Sequence, residues 1–397
     1  MRIYFSGHKY HYECENLCRV FFPYSDLKIS DTRLNSNNGE VCVNAVISQR
    51  DNIYFYEVSI YTENKTLDKT IKSDEHTEYF LTDLLFKTFC EFTEYTPKWG
   101  MLTGIHPVRL FTDHVKSTDY KEAERVFIQN FHVSTEKLNL VELISKNQEQ
   151  SLNALSENDF CLYIAIPFCP TRCSYCSFVS QSIKNHHRLL DTYFELLLEE
   201  IEKTSETAKM LNLQLISVYV GGGTPTTLSA SQISILCDKV FQCFDMSHCS
   251  EFTFEAGRPD TITKEKLISL KKGNVSRISI NPQSFSDNVL KCIGRTHSAY
   301  DIETAFNIAA ECGFNNINSD LIIGLPEDTL ETFDYSLNKT IELGATNITV
   351  HSLAIKRASD FAQKLKSLKS HENNELVNKM AELSFSVLAD HFYTPYY

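Results

Sequence analysis

Three cysteines in the segment IPFCPTRCSYCSF, Cys169, Cys173 and Cys176, stand at a C-x3-C-x2-C spacing. Three thiolates on one short loop can each take one iron of a 4Fe–4S cubane and leave the fourth iron without a protein ligand. An open iron can take the amino and carboxylate groups of S-adenosylmethionine, pass one electron to its sulfonium and release a 5′-deoxyadenosyl radical. A fourth protein ligand would hinder that chemistry. The same spacing also suits a disulfide or a structural zinc site. Zinc needs a fourth ligand from elsewhere, and the dispersed cysteines of this chain offer candidates.

Further residues of useful chemistry follow at intervals. YVGGGTPT (219–226) carries Gly221, Gly222 and Gly223 ahead of Thr224 and Pro225. Without Cβ atoms a backbone can approach a ligand closely, and its free N–H and C=O groups can meet the methionine end of the cofactor. Alone, the run is equally a tight turn. Glu255 closes FTFEAG, where a carboxylate can accept hydrogen bonds from an amino group or ribose hydroxyls. Without its neighbours it reads as an exposed glutamate at a strand exit. Gln283 ends RISINPQ, and Arg295 follows in IGRTH. An inward guanidinium can grip a carboxylate as a fork, although spacing alone equally suits a surface arginine. Asp320 precedes the IIGLP run (322–326), whose end can line an adenine.

The elements that must position these residues alternate regularly. Strand patterns occur at 160–166, 217–220, 251–256, 277–281, 316–324 and 346–352, with helical patterns near 188–203, 229–244, 263–271, 299–312 and 328–342. This is an α/β pattern that builds a parallel sheet, and six steps predict a partial (β/α)6 barrel with one open side. In such barrels the chemistry sits where strands end, which is where every motif above falls. A small α+β domain precedes it. There, 41–47 and 53–61 read as a hairpin around Gln49–Asn52, 78–92 as a helix, and 119–131 as a second helix with Asp119 and Glu122 as its capping pair. The polar stretch 147–159 marks the boundary. The domains so predicted are 1–150, 158–357 for the barrel, and a helical C-terminal region over 358–397. The lone tryptophan, Trp99, lies in TPKWGMLTGIHPVRL (96–110) and reads as packing between domains.

Composition narrows the setting. The start has no signal-peptide pattern, and no apolar run reaches the roughly 18 residues that span a bilayer, so a cytoplasmic protein without a membrane partner is expected. A net charge of −13 argues against a nucleic-acid partner. Without a secretory signal the dispersed cysteines read as small buried apolar residues rather than disulfides.

Together IPFCPTRCSYC, YVGGGTPTTL, FTFEAGRPDTIT, RISINPQSF and NSDLIIGLPEDT resemble the oxygen-independent coproporphyrinogen III oxidase group of radical S-adenosylmethionine (radical SAM) enzymes. WGMLTGIHPVRL, CPTRCSYCSF and VHSLAIKRAS are similar to its HemZ-type branch of coproporphyrinogen dehydrogenases. The resemblance covers about residues 160 to 357, and in the first domain rests mainly on the stretch around Trp99. It implies a radical SAM barrel whose Cys169, Cys173 and Cys176 ligate a 4Fe–4S cluster. It further implies S-adenosylmethionine contacts from Tyr163, Tyr175, Gly222, Gly223, Thr224, Glu255, Gln283, Arg295 and Asp320. The implied reaction removes a hydrogen from a propionate β-carbon of a porphyrinogen substrate. Carbon dioxide and one electron then leave, giving a vinyl group, and the step occurs twice. An electron donor and an acceptor are implied without being identified.

Two departures accompany the resemblance. Phe178 stands where the best-established oxidases carry a fourth cysteine, and a phenylalanine there also occurs in the related HemW-like branch of haem-binding chaperones. That carrier function is the alternative, with a zinc-stabilised binding protein as a third. The family also continues beyond Pro395-Tyr396-Tyr397, so 358–397 reads as the start of a truncated region.

Overall fold

β-Branched and aromatic runs in the first part of the chain pair into one mixed sheet. In this computed structural model, which describes all residues except Tyr24, 35–38, Val179 and 355–370 and the side chains of 184–187 and 371–374, the chain forms two compact units. The first comprises Met1–Ala154 with Pro395–Tyr397, and the second Leu155–Thr394.

In the first unit β1 (Arg2–Ser6), β2 (Lys28–Ser30), β3 (Cys42–Arg50), β4 (Ile53–Tyr61) and β5 (Thr66–Ser73) lie in the order β2-β1-β3-β4-β5. β1 is parallel to both neighbours, whereas β3, β4 and β5 are antiparallel. The pattern predicts a turn over Gln49–Asn52, but the strands continue to the Arg50–Ile53 pair. Asp51 and Asn52 alone make the turn, at φ of 49° and 62°. A two-residue turn with both residues left-handed matches the twist of the flanking strands, and Asp and Asn tolerate it. Helices α1 (His11–Phe21) and α2 (Glu78–Thr93) bury Leu17, Phe21, Leu81, Leu85 and Phe89 against Ile3, Val43, Tyr56 and Val58 of the sheet.

A second core within this unit lies between α3 (Pro107–Ser117), α4 (Tyr120–Arg125) and α5 (Thr135–Asn153), around Phe111, Phe127 and Val141. Trp99 packs on this core with the Lys137 ammonium 5.7 Å from its ring. The helix predicted over 119–131 is regular only to Arg125 and widens to a π-turn over Val126–Asn130. Asp119 caps it as expected, accepting the Glu122 N–H at 2.9 Å, while the Glu122 carboxylate turns to Arg125. The polar stretch at the boundary is helical as far as Asn153, its polarity reflecting exposure rather than irregular chain.

The second unit is a six-stranded parallel sheet in the order β13-β12-β11-β10-β9-β6. Its strands are β6 (Asp159–Ile166), β9 (Gln214–Gly222), β10 (Glu251–Gly257), β11 (Arg277–Ile280), β12 (Ile317–Ile323) and β13 (Asn347–Ser352). Two-residue strands β7 (Phe168–Cys169) and β8 (Gln181–Ser182) form a separate pair. Helices α6 (Ile183–Met210), α7 (Ala230–Cys243), α8 (Lys264–Lys272), α9 (Asp287–Cys292), α10 (Ala299–Glu311) and α11 (Leu330–Glu342) fill the crossovers. The result is an α/β partial barrel whose edge strands β6 and β13 pair with only one neighbour each within that sheet. Capping boxes at Ser229/Gln232, Ser298/Asp301 and Thr329/Thr332 start α7, α10 and α11 abruptly, which leaves the strand-end loops before them free for other duties. Ile164, Val218, Val220, Phe254, Ile278 and Ile280 are buried under these helices, each contributing about 1.5–3 kcal/mol of hydrophobic burial. Helix α12 (His371–Asp390) packs Met380 on Leu321, Ile323, Phe333 and Leu337. The Lys- and Ser-rich stretch 364–370 lies outside the described residues.

No helix among the described residues is long and apolar enough to cross a membrane. All thirteen cysteines are free thiols. Cys14, Cys18, Cys42, Cys237 and Cys243 are buried as expected, whereas Cys161 and Cys292 are exposed.

One polar contact in the first unit is open to test. Asp83 on α2 accepts His132 Nε2 at 2.6 Å and Lys87 Nζ at 2.8 Å, with the His132 ring stacked on Phe86. Burial raises the pKa of Asp83, but the bonds from His132 and Lys87 outweigh it and hold the carboxyl below its usual range. Removing a charged hydrogen-bond acceptor of this kind costs about 1.5–3 kcal/mol, so Asp83→Asn should lower the urea midpoint at pH 7. A depressed native pKa stabilises fully above the ordinary carboxylate value and fades as pH falls through the native one. The two proteins should therefore converge as pH falls below the ordinary carboxylate range.

Candidate active site

The cysteine loop begins as a continuation of the barrel wall. Beyond the last β6–β9 pair, the Gly223 N–H donates to Ile166 O at 2.9 Å and the Thr224 N–H to Phe168 O at 2.7 Å. The sequence pattern assigns the free N–H groups of the glycine run to a ligand, but that of Gly223 is instead taken by the strand leading to Cys169, as is that of Thr224. The reason is packing distance: a Cβ on Gly223 would stand 2.6 Å from Phe168 O. Gly222, at φ +110°, is less tightly placed, a Cβ there standing 3.2 Å from Ile166 N. At the far end of the loop, Gln181 N donates to Pro167 O and the Ser182 hydroxyl to Pro170 O, closing its base.

Within the loop Cys176 N donates to Cys173 O at 3.1 Å, and the Thr224 hydroxyl points at Cys169 Sγ from 3.5 Å. Burial first, then the neighbouring Cys173 and Cys169 thiols, push the Cys176 thiol up. Ser174 N donates to Ile293 O, and Gly294, at φ +78°, leaves room for the Ser174 side chain.

Around this loop the strand ends bring most of the expected side chains together. Arg295 donates from Nη2 to the Tyr175 hydroxyl at 2.9 Å, while its Nε and Nη1 are buried without a partner. Burial opposes its charge, but Tyr175 and Cys173 keep it firmly cationic. Burial pushes the Tyr175 phenol up to about 12 despite Arg295. Gln283 sits at φ +70°, 6% exposed, with its Oε1 unpartnered. Its main chain bridges to β12, donating to Asp320 O and accepting from Ile322 N.

Glu255 is not an exposed strand-exit residue. Its Oε1 accepts the Tyr219 hydroxyl at 2.7 Å, and Tyr163 stacks on Tyr219 at 5.8 Å. Gly221 makes room for this pair, since a Cβ there would lie 2.7 Å from the Tyr219 ring. Burial raises the Glu255 pKa, helped by the charge of Asp320 and resisted by Tyr219. Asp320 is raised by burial too, although Asn318 Nδ2 donates to it and His351 Nε2 stands 4.0 Å away. Phe178 is 71% exposed on the cysteine loop.

The signature of the Radical SAM superfamily matches residues 163–339. The oxygen-independent coproporphyrinogen-III oxidase-like protein HemZ of Bacillus subtilis is 32% identical over 98% of this chain and 79% of its own length. This chain belongs to the radical SAM superfamily, in its HemZ-like branch. The heme chaperone HemW of Bacillus subtilis is 36% identical over 58% of this chain and 60% of its own. The solved coproporphyrinogen III oxidase HemN of Escherichia coli superposes with a TM-score of 0.52 at 27% identity, covering 61% of this chain and 55% of that one.

Radical SAM proteins work with a 4Fe–4S cluster and S-adenosylmethionine, which are therefore this chain's cofactors. The residues present fit them. The unpartnered Nε and Nη1 of Arg295 and Oε1 of Gln283 are buried polar atoms that need a partner. Among the described residues no three His, Cys, Asp or Glu gather as around a single metal ion. A cubane sets its thiolates on three different irons, a wider arrangement than a single-ion site.

The sequence pattern does not single out Tyr219, Arg258, Asp260 or Thr296, which the structure joins to the site. Two signals were available: the inward register of Tyr219 between buried Val218 and Val220, and the Arg-x-Asp directly after a strand end.

The tight fit at the glycine run predicts a defect for Gly223→Ala. Forcing a methyl against two carbonyl oxygens costs about 1–3 kcal/mol. Thermal unfolding should shift down, and iron bound per chain after anaerobic reconstitution should fall with it.

Proposed function

We propose that this radical SAM protein converts propionates of coproporphyrinogen III to vinyl groups without oxygen, as a coproporphyrinogen dehydrogenase. On this reading it works in the cytoplasm with a one-electron donor and an acceptor. The observation that carries the reading is the extent of the match: similarity to HemZ runs through both units, whereas similarity to the chaperone covers 58% of the chain.

The thiolates of Cys169, Cys173 and Cys176 would hold three irons of the cluster, with the Thr224 hydroxyl donating to Cys169 Sγ. The cluster and S-adenosylmethionine, when bound, supply the one-electron cleavage that generates a hydrogen-abstracting radical. Arg295 offers Nε and Nη1 to the carboxylate of S-adenosylmethionine as a fork, oriented by Tyr175. Glu255 and Asp320 accept from its amino group or ribose hydroxyls, and Tyr219 orients Glu255. Gln283 contributes its unpartnered Oε1, and Gly222 and Gly223 let the chain that leads to Cys169 lie close against the end of β9. Tyr163, 58% exposed and stacked on Tyr219, presents an aromatic face for a bound ligand. A propionate side chain loses a β-hydrogen, carbon dioxide and one electron to the acceptor, leaving a vinyl.

One observation favours a second reading as a haem-binding chaperone: Phe178 stands exposed where the established oxidases of the group carry a fourth cysteine.

Anaerobic incubation of reconstituted protein with coproporphyrinogen III, reductant and S-adenosylmethionine should yield protoporphyrinogen. Cofactor cleavage with no vinyl product overturns the oxidase reading, and stoichiometric haem uptake without turnover favours the chaperone. Cys173→Ala should lose most of the bound iron. Removing one side of a buried charge pair costs about 2–5 kcal/mol, so Arg295→Met should keep its iron yet bind S-adenosylmethionine about thirtyfold or more weakly.

A further inference from the structure

The Arg258 side chain is only 4% exposed, yet it carries a full charge just past the end of β10. A guanidinium has five N–H donors, and here five hydrogen bonds use them. Nε and Nη2 form a fork on the Asp260 carboxylate at 2.9 and 2.7 Å. Nη2 also donates to Thr296 Oγ1 at 2.9 Å, and that hydroxyl donates to Asp260 Oδ2 at 2.7 Å. The third arm leaves this cluster. Nη1 donates to both the carbonyl and the hydroxyl of Thr171, at 3.0 and 2.8 Å.

Thr171 lies between Cys169 and Cys173, and Thr296 directly follows Arg295. Arg258 thus spans from the cysteine loop to the segment carrying Arg295. The bond from Ser174 N to Ile293 O is a second tether, so Cys173 is flanked by a fixed residue on either side. Arg295 in turn holds Tyr175. Burying an ion pair contributes little net stability compared with apolar packing, so a fully satisfied one at this position is best explained by the geometry it enforces.

We propose that Arg258 is a positioning residue: by clamping Thr171 to Asp260 and Thr296, it sets where the three thiols stand relative to Arg295. The proposal rests on the reading of Cys169, Cys173 and Cys176 as cluster ligands and Arg295 as a cofactor contact.

The test uses the full chain with Arg258→Met, which keeps the apolar stem and removes the donors, and Thr171→Val, which removes the hydroxyl acceptor of the third arm and leaves its carbonyl bond. In the metal-free protein, amide exchange over residues 170–176 should quicken about tenfold in Arg258→Met, with exchange in β9 and β10 unchanged. In anaerobically reconstituted protein, iron content should stay near wild type. The KM for S-adenosylmethionine should rise about tenfold, more than kcat falls, and the change in the reduced cluster's electron paramagnetic resonance spectrum on adding S-adenosylmethionine should weaken. Thr171→Val should move the same readouts in the same direction by less, and it decides the matter if Arg258→Met does not fold. Unchanged exchange over 170–176 overturns the proposal. So does faster exchange with an unchanged KM and spectrum, which would make Arg258 a stabilising residue only. If the wild type takes up no iron, the reading of the thiols fails, whereas amide exchange still decides whether Arg258 holds the loop.

Discussion

Two main-chain hydrogen bonds, Gly223 to Ile166 and Thr224 to Phe168, decide how the cysteine loop leaves the barrel. They carry the β6–β9 pairing past the last residues of the sheet, so the loop starts as wall rather than as an excursion. Each contributes only about 0.5–1.5 kcal/mol net, but both are short-range and demand that no side chain intervene. That demand explains why the run must be glycine at 223. It also fixes Thr224, whose hydroxyl then meets Cys169 Sγ without further support.

The barrel mouth is electrostatically divided. Glu255 and Asp320 share the barrel side, each made a weaker acid by burial, while Arg295 stands beside the thiols with two donors unsatisfied. A ligand that carries an amino group and a carboxylate meets acceptors at one end and a guanidinium at the other. Such complementarity selects orientation more than it adds affinity. Arg258 and Asp260 offset each other through their fork, and the Asp260 charge also favours the Arg295 cation.

The barrel was legible in the sequence because its inner strands β10, β11 and β12 are largely buried and read as short apolar runs at even spacing. Radical SAM membership was legible in the cysteine spacing and the strand-end motifs. Much of the first unit was not. β5 (TLDKTIKS) alternates exposed and half-buried residues, so its strand character comes from pairing with β4 rather than from composition. α5 is polar along its last turns and resembled a linker. At the site, Glu255 taken alone read better as a surface residue and Arg295 equally well as one, and only the packing of Tyr219, Gly221 and Tyr175 around them removes that choice. Arg258 was illegible for the same reason. A charged residue just after a strand looks like solvent-facing loop until its five partners, two of them 87 residues away on Thr171, are in place.

The strands of the second unit lie side by side in the order in which they are made, from β6 at one edge to β13 at the other. A ribosome therefore delivers each strand to the growing edge of those already assembled. The thiol-bearing loop emerges early, and the guanidinium that clamps it follows 87 residues later. At translation rates of about 5–20 residues per second that interval is roughly 4 to 17 s. Until the guanidinium emerges, the nascent thiol loop is held by β6, by the residues that end β9 and by its own base at Gln181 and Ser182, without the clamp.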